Sequence, residues 1–190
     1  MKTMMKKNST RSVSRWSVGL AVAALTFSVA AHAAFKSVGE GTSGFLAVGP
    51  GGLKIEGTGT GVTASEAGGK ITVKAPLNNF KTGITLRDDH LKKALKADVN
   101  KYATFTVDRS ALNIPSGKEV SGTGKGQFAL NGVTKDAPFE YKASPAGGGA
   151  IEVQGRATID MTQYKLEQPC YLGVCVDKEV KVKVKFKVSE

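Results

Sequence analysis

Near the end of the chain, residues 180–188 read Val-Lys-Val-Lys-Val-Lys-Phe-Lys-Val. Apolar side chains occupy every second position, and lysines occupy all the positions between them. Because successive side chains of a β-strand point to opposite faces, this pattern predicts a strand with one buried face and one solvated face. The fold must therefore contain a sheet with an apolar side.

The same period of two recurs along the chain. It predicts seven further strands, at residues 43–49, 53–62, 70–80, 102–109, 119–130, 136–143 and 150–161. Turn signals separate them, and the strongest is Asn131-Gly132, which is typical of a two-residue hairpin. Eight strands joined by successive hairpins predict an all-β fold, either an antiparallel up-and-down barrel or a folded-over sandwich.

One segment departs from this period. Residues 88–100 have helical spacing, and Asp88 and Asp89 stand where they could cap the N-terminus. We therefore expect one short helix near 88–100, packed on or across the barrel. Its apolar positions are Leu91, Ala94, Leu95 and Val99.

The first 33 residues have the composition of a secretory signal peptide. A basic segment without acidic residues precedes an apolar run from Val18 to Ala31, and Ala31-His32-Ala33 fits the small-residue cleavage pattern. We expect cleavage near Ala33, with residues 34–190 forming a single exported domain. An uncleaved N-terminal anchor is the alternative.

Export changes what the charge of the chain implies. Five of the 27 basic residues and none of the 16 acidic residues lie in residues 1–33, so the remaining 22 against 16 give a net charge of +6. Such a charge is ordinary for a small domain. We therefore expect no nucleic-acid partner.

Two cysteines, Cys170 and Cys175, lie in the exported part. In an oxidising compartment, a disulfide that closes a short loop is the first expectation. A redox-active or metal-binding pair is the alternative, although the spacing is not Cys-x-x-Cys.

Glycines occupy apolar-face positions on three strands, at Gly57, Gly59, Gly61, Gly122, Gly124, Gly126 and Gly155. Missing side chains would leave voids in a solid core, whereas in a barrel they make room for a ligand. Alternatively, they allow strongly coiled strands to bend. Both interpretations favour a barrel.

Residues that could perform catalysis are scarce. His90 is the only histidine after residue 33, so a site with several histidine ligands is excluded, and we expect no metal and no cofactor. The sequence contains no nucleophile elbow, phosphate loop or dinucleotide fingerprint. His90 would therefore be structural or contact a polar head group. An enzyme acting on a lipid or quinone through His90 and Asp88 is a less favoured hypothesis.

Several stretches resemble the YceI-like family. Residues 82–91, Thr-Gly-Ile-Thr-Leu-Arg-Asp-Asp-His-Leu, match its T-G-x-x-x-R-D-x-H-L signature. Residues 126–135 resemble its G-x-L-x-L-x-G-x-T-K segment, with Phe128 for the first leucine. Residues 101–105, Lys-Tyr-Ala-Thr-Phe, resemble its stretch that begins K-Y-P, with Ala103 in place of proline. The likeness covers about residues 70–190, including the closing valine strand.

The resemblance implies a lipocalin-like antiparallel barrel in the periplasm. It implies that the lumen binds a polyisoprenoid or another long-chain amphiphile, such as an isoprenoid quinone or a fatty-acid-like lipid, for storage or transport. The signature maps onto Arg87, Asp88, His90 and Leu91, which either contact the ligand's head group or pin the helix to the barrel. A carrier of this kind needs no catalytic group.

Strand parity predicts which side chains line the lumen: Ile71, Val73, Phe105, Val107, Gly122, Gly124, Gly126, Phe128, Leu130, Phe139, Ile151, Val153, Val182, Val184 and Phe186. On the opposite face, Lys181 to Lys187 are explained by solvation and by protection of a sheet edge. The same lysines also suggest contact with an anionic membrane surface, or a structural module that docks in the cell envelope.

Overall fold

The computed structural model describes residues 33–171 and 173–190. The predicted signal peptide, apart from Ala33, lies outside the described residues. The helix α1 spans Thr85–Leu95. The strands are β1 (Lys36–Ser37), β2 (Gly41–Val48), β3 (Lys54–Ala67), β4 (Lys70–Pro76), β5 (Tyr102–Asp108), β6 (Val120–Leu130), β7 (Val133–Pro145), β8 (Ile151–Asp160), β9 (Cys170–Tyr171), β10 (Val174–Cys175) and β11 (Glu179–Ser189).

Eight long strands close into a barrel. From β2 to β8, each strand pairs with the next one along the chain, and β11 pairs with both β2 and β8. All these pairings are antiparallel. The fold is therefore a closed eight-stranded up-and-down barrel, as predicted, and not a sandwich.

A two-residue turn and a β-bulge determine which side chains of their strands face the inside of the barrel. Asn131 and Gly132 both have positive φ, at 50° and 72°, and join β6 to β7 as a two-residue turn. In β3, Gly61 has φ +81° beside a shift in register with β2. The bulge turns Val62 and Ala64 inward, so the sequence-based expectation that Gly61 continues the inward row of Gly57 and Gly59 is wrong.

The helix begins and ends earlier than the sequence pattern predicts. Asp88 and Asp89 do not cap it, because Ile84 is the N-cap residue and makes no side-chain cap. Lys96 adopts the left-handed conformation and donates its N–H to the last turn, which ends the helix. Val99 is therefore outside the helix and 81% exposed, whereas Ala97 is buried.

The barrel has two differently built ends. The end that carries β1, residues 109–119 and the C-terminus is called the clasp end. There Arg109 donates hydrogen bonds to Glu66 and Glu190, both at 2.6 Å, and its guanidinium lies 4.2 Å from the centre of the Phe35 ring. The clasp-end core comprises Phe35, Val62, Ala64, Ile71, Val107, Tyr141, Ala143, Phe186 and Val188 with their neighbours.

The opposite end, called the helix end, carries α1 and residues 161–178. Residues 77–80 leave the sheet after Pro76 and turn Leu77 and Phe80 into the barrel, which explains why the predicted strand 70–80 stops early. The helix-end core comprises Leu77, Phe80, Ala97, Phe128, Leu130, Ile159, Met161, Tyr164, Val176 and Val180 with their neighbours.

A disulfide closes a small hairpin at the helix end. Cys170 and Cys175 are bonded to each other, as predicted, and pair across β9 and β10. Over the described part of the chain, no helix is both long enough and apolar enough to cross a membrane.

Candidate ligand-binding site

The register between strands leaves the barrel thinly filled at its middle. One circle of inward-facing neighbours across β3, β2, β11, β8, β7 and β6, here called the small ring, consists of Gly59, Ser43, Val184, Gly155, Tyr141 and Gly122. Half of these positions are glycines, which have no side chain, so the residues of the small ring do not fill the width of the barrel. The next circle toward the helix end is Gly57, Phe45, Val182, Ala157, Phe139 and Gly124.

An apolar cavity of about 120 Å³ lies at this level. Its inward-facing lining is almost entirely hydrocarbon and combines residues from both core clusters: Ser43, Phe45, Val73, Ala75, Phe80, Ala103, Phe105, Phe128, Phe139, Gly155, Ala157, Val182 and Val184. Two edge-on or tilted aromatic pairs form part of the wall, with Phe105 and Phe139 at 5.1 Å between ring centres and Phe45 and Phe80 at 5.6 Å. A void of this size is close to one that takes a single benzene-sized group.

Glycines support the aromatic rings that line this cavity. A Cβ atom added at Gly124 would lie 2.8 Å from the Phe139 ring, and at Gly122 it would lie 2.7 Å from the ring of Tyr141. At Gly57 and Gly126 it would fall inside 3.0 Å of the rings of Phe45 and Phe105. Rings therefore cover these four glycine positions. They let rings pack against the wall, which keeps the centre of the barrel open.

The predicted lumen residues divide into four groups. Those that line the central cavity are Val73, Phe105, Phe128, Phe139, Val182 and Val184. Those that line a smaller cavity of about 50 Å³ at the clasp end are Ile71, Ile151, Val153 and Phe186. Those buried within the core clusters are Val107 and Leu130, and those covered by rings are Gly122, Gly124 and Gly126.

Sequence reasoning missed several lining residues, chiefly Ser43, Phe45, Ala75, Phe80 and Ala103, whereas it placed Gly155 and Ala157 on the inward face. Some of them have a usable signal, because they share the parity of residues that were selected. Ala75, for example, has the same parity as Ile71 and Val73 on the same strand. Phe80 has no such signal, since it follows the end of β4 and reaches the lumen from a connecting segment.

The signature residues before and within α1 hold a turn in place. The Asp88 carboxylate accepts hydrogen bonds from the Thr82 hydroxyl at 2.5 Å and the Thr82 backbone N–H at 2.7 Å. The Arg87 guanidinium donates to the Thr82 carbonyl at 2.7 Å. The Thr82 hydroxyl, followed by its backbone N–H, holds the pKa of Asp88 below its usual value. Arg87 and Asp88 thus pin the entry to α1.

None of the four signature residues lines the central cavity. The His90 side chain is exposed and Leu91 is half-buried. Because Asp88 is already bonded to Thr82, the arrangement does not direct an acid–base pair of Asp88 and His90 toward the lumen. Across residues 33–171 and 173–190, no three His, Cys, Asp or Glu side chains are grouped so that they could hold a metal ion.

These features place the chain among small closed up-and-down barrels whose strands surround an internal cavity. The model of the YceI-like domain matches residues 16–188, and the chain belongs to this family. No curated protein matches the sequence.

Solved structures show the same fold at low sequence identity. A polyisoprenoid-binding domain from Saccharophagus degradans, implicated in plant cell wall breakdown, is 16% identical with a TM-score of 0.69, over 83% of this chain and 99% of that one. BcnA from Burkholderia cenocepacia is 13% identical with a TM-score of 0.61, over 77% and 95%. A YceI protein from Campylobacter jejuni is 16% identical with a TM-score of 0.51, over 73% and 86%.

Proposed function

We propose that this protein is a carrier that holds a polyisoprenoid or a similar long-chain amphiphile inside its barrel. The observation that carries the proposal is the apolar cavity between two packed ends, which has almost no polar side chain facing into it. A chain ligand fits such a lining because each buried CH₂ group contributes about 0.8 kcal/mol. The name of the Saccharophagus degradans domain, a polyisoprenoid-binding domain, supports the same ligand class.

Binding a long chain requires the cavity to grow. Ligand pockets usually enclose about 300–1,000 Å³, whereas the central cavity encloses about 120 Å³. The rings of Phe45, Phe105 and Phe139 are the groups that can make room, because they cover glycines and border the cavity. We infer that these rings shift when the ligand enters, and that the ligand stabilises the wider arrangement.

The cellular part of the proposal is storage or transport of the ligand in the periplasm. Removal of residues 1–33 would leave residues 34–190 as a single exported domain. The signal-peptide pattern of the first 33 residues and the Cys170–Cys175 disulfide support this location. Transient contact with a membrane is part of the same proposal, since a long-chain lipid originates there.

Native mass spectrometry tests the carrier function directly. The mature protein is purified from periplasm without detergent, and we expect an added mass that leaves on activation and is identified by solvent extraction as an isoprenoid or acyl chain. Ala157→Leu fills the cavity and should lose this mass. Thr158→Leu is the matched control, because the neighbouring side chain points outward. A folded Ala157→Leu variant that still carries the ligand would contradict the proposal.

The outer face of the barrel supports a second candidate, a docking module for anionic surfaces. A groove of about 820 Å³ is lined by charged residues of the outward parity, Lys125, Arg156, Lys181, Lys183, Glu56 and Glu140, together with lumen-facing residues such as Phe45 and Val182. Within the described residues, Lys185 pairs with Glu152 at 2.9 Å, whereas Arg156, Lys181 and Lys183 form no salt bridge.

Sedimentation with phosphatidylglycerol vesicles tests this second candidate. If the groove binds anionic lipid, Lys181→Glu/Lys183→Glu should abolish binding at low salt, because both unpaired cations are reversed. Lys92→Glu/Lys93→Glu, which makes the same change of charge on α1 outside the groove, should bind like the unmodified protein. Equal binding by all three proteins would exclude the groove as the contact surface.

A further inference from the structure

The cavity contains one polar group that the chain leaves without a partner. Ser43 belongs to the small ring and is one of the residues that line the cavity; the residue is only 7% exposed, and its Oγ atom is almost completely covered. Its hydroxyl has no hydrogen-bond partner among the described residues. The nearest wall on one side is Gly59, where an added Cβ atom would lie 2.9 Å from the Ser43 Oγ atom.

A buried hydroxyl without a hydrogen-bond partner in the chain indicates a partner that binds from outside the chain. Buried polar side-chain atoms in folded proteins are almost always hydrogen-bonded, because desolvating them without compensation is costly. Alanine would fill the same space without this cost. A single trapped water is a poor solution, since it needs two to four polar partners and the other side chains that face the cavity are apolar.

We propose that the Ser43 hydroxyl donates a hydrogen bond to a neutral oxygen atom of the ligand, which is thereby held inside the barrel and not at its mouth. The inference rests on the proposed carrier function and narrows its ligand class to chains with a carbonyl, ether or hydroxyl oxygen. A charged head group does not fit this position, because Arg156 and Lys183, the cations beside the cavity, are exposed and lie on the outward parity of their strands.

The test compares two probes that differ only in the acceptor oxygen. Farnesyl methyl ether and its hydrocarbon analogue without the oxygen are added in competition to the mature protein, and the bound fractions are measured by native mass spectrometry. The unmodified protein should prefer the ether by about fivefold, the effect of one net hydrogen bond. Ser43→Ala should lose this preference and bind the hydrocarbon at least as well. Ser121→Ala, an exposed serine on the outer face of β6, should keep it.

Each outcome has a distinct meaning. If both probes bind the unmodified protein equally, or if Ser43→Ala keeps the preference, the proposed role of Ser43 is wrong while the carrier function stands. If neither probe binds, both proposals fail. Thermal unfolding without ligand gives a second readout: Ser43→Ala should melt at the same or a higher temperature, and a clear loss of stability would show that the hydroxyl has a structural partner instead.

Discussion

Two neighbouring inward positions of β11 show how the barrel separates stability from ligand space. Phe186, in the clasp-end core, is 6% exposed and packs among large side chains. Val184, two residues earlier, belongs to the small ring and is only half-buried beside the cavity. Both follow the same alternation with lysine. The alternation therefore specifies the barrel, whereas the size of the inward residues decides which level holds only the smaller cavity of about 50 Å³ and which holds the central cavity of about 120 Å³.

The difference has a consequence for how the protein can accommodate a ligand. The clasp end is fixed by Phe35 and by the ion pairs of Arg109 with Glu66 and Glu190. The helix end is closed by side chains such as Leu77 and Tyr164. Because packing at both ends supports the fold, rearrangement in the middle costs little global stability. The lumen can then widen for the proposed ligand without unfolding of the barrel.

The largest expected effect comes from weakening the clasp-end core. Phe186→Ala should lower the free energy of unfolding by about 3–5 kcal/mol, because it leaves a hole in a packed core. Val184→Ala should cost only about 1 kcal/mol, since that side chain already borders empty volume. Urea denaturation of both variants, read as a shift in midpoint at constant slope, measures the difference. Equal losses would show that the middle of the barrel is packed like its end.

The second prediction concerns the glycines against which the aromatic rings pack. Gly126→Ala should destabilise the barrel by about 1–3 kcal/mol, because the new methyl group overlaps the Phe105 ring. Gly155→Ala should cost less, since its Cβ atom would meet only a Val184 methyl group, at 3.1 Å. Thermal unfolding gives the comparison.

A double-mutant cycle assigns the cause of that loss. If the overlap with the ring is responsible, Gly126→Ala should be less damaging in a Phe105→Leu background, which shows as a coupling free energy between the two sites. Additive losses would mean that curvature of the strand, and not the ring, requires glycine at this position.

The sequence predicts the barrel well because its signals are local. Alternation identifies all eight strands, and the Asn131-Gly132 turn fixes the register of β6 and β7 by placing Leu130 opposite Val133. Counting outward from this turn pairs Gly124 with Phe139 and Gly122 with Tyr141, so these two contacts between a glycine and a ring were predictable from the sequence. The parity of the strand residues alone does not contain this register.

Other features depend on contacts that sequence patterns do not contain. The contact of Phe105 with Gly126 joins β5 to β6 across a long loop, and Phe80 enters the lumen from a segment without strand periodicity. Lys96 ends α1 in a left-handed conformation that usually favours glycine or asparagine, which is why the predicted helix ran on to residue 100. The lone hydroxyl of Ser43 becomes informative only when its burial and its missing partner are known.

The smallest effect is expected at the entry to α1, away from the two levels of the core that are compared above. In the folded protein, the hydrogen bonds from the Thr82 hydroxyl and backbone N–H hold the pKa of Asp88 below its ordinary value of 3.8. A group whose pKa is lowered by folding adds stability that is fully present above its unfolded-state pKa and is lost as the pH falls through its folded-state pKa. Asp88→Asn should therefore lower the melting temperature at pH 7 and make less difference below pH 3.8.

Asp89→Asn is the control, since its side chain is exposed on the same turn, and it should follow the unmodified protein at both pH values. If Asp88→Asn and the unmodified protein differ by the same amount at pH 7 and at pH 3, the carboxylate charge is not what pins this turn. If the turn is pinned as proposed, ligand binding in the small ring should be unchanged in Asp88→Asn, because Asp88 stabilises the end of the barrel and does not line its cavity.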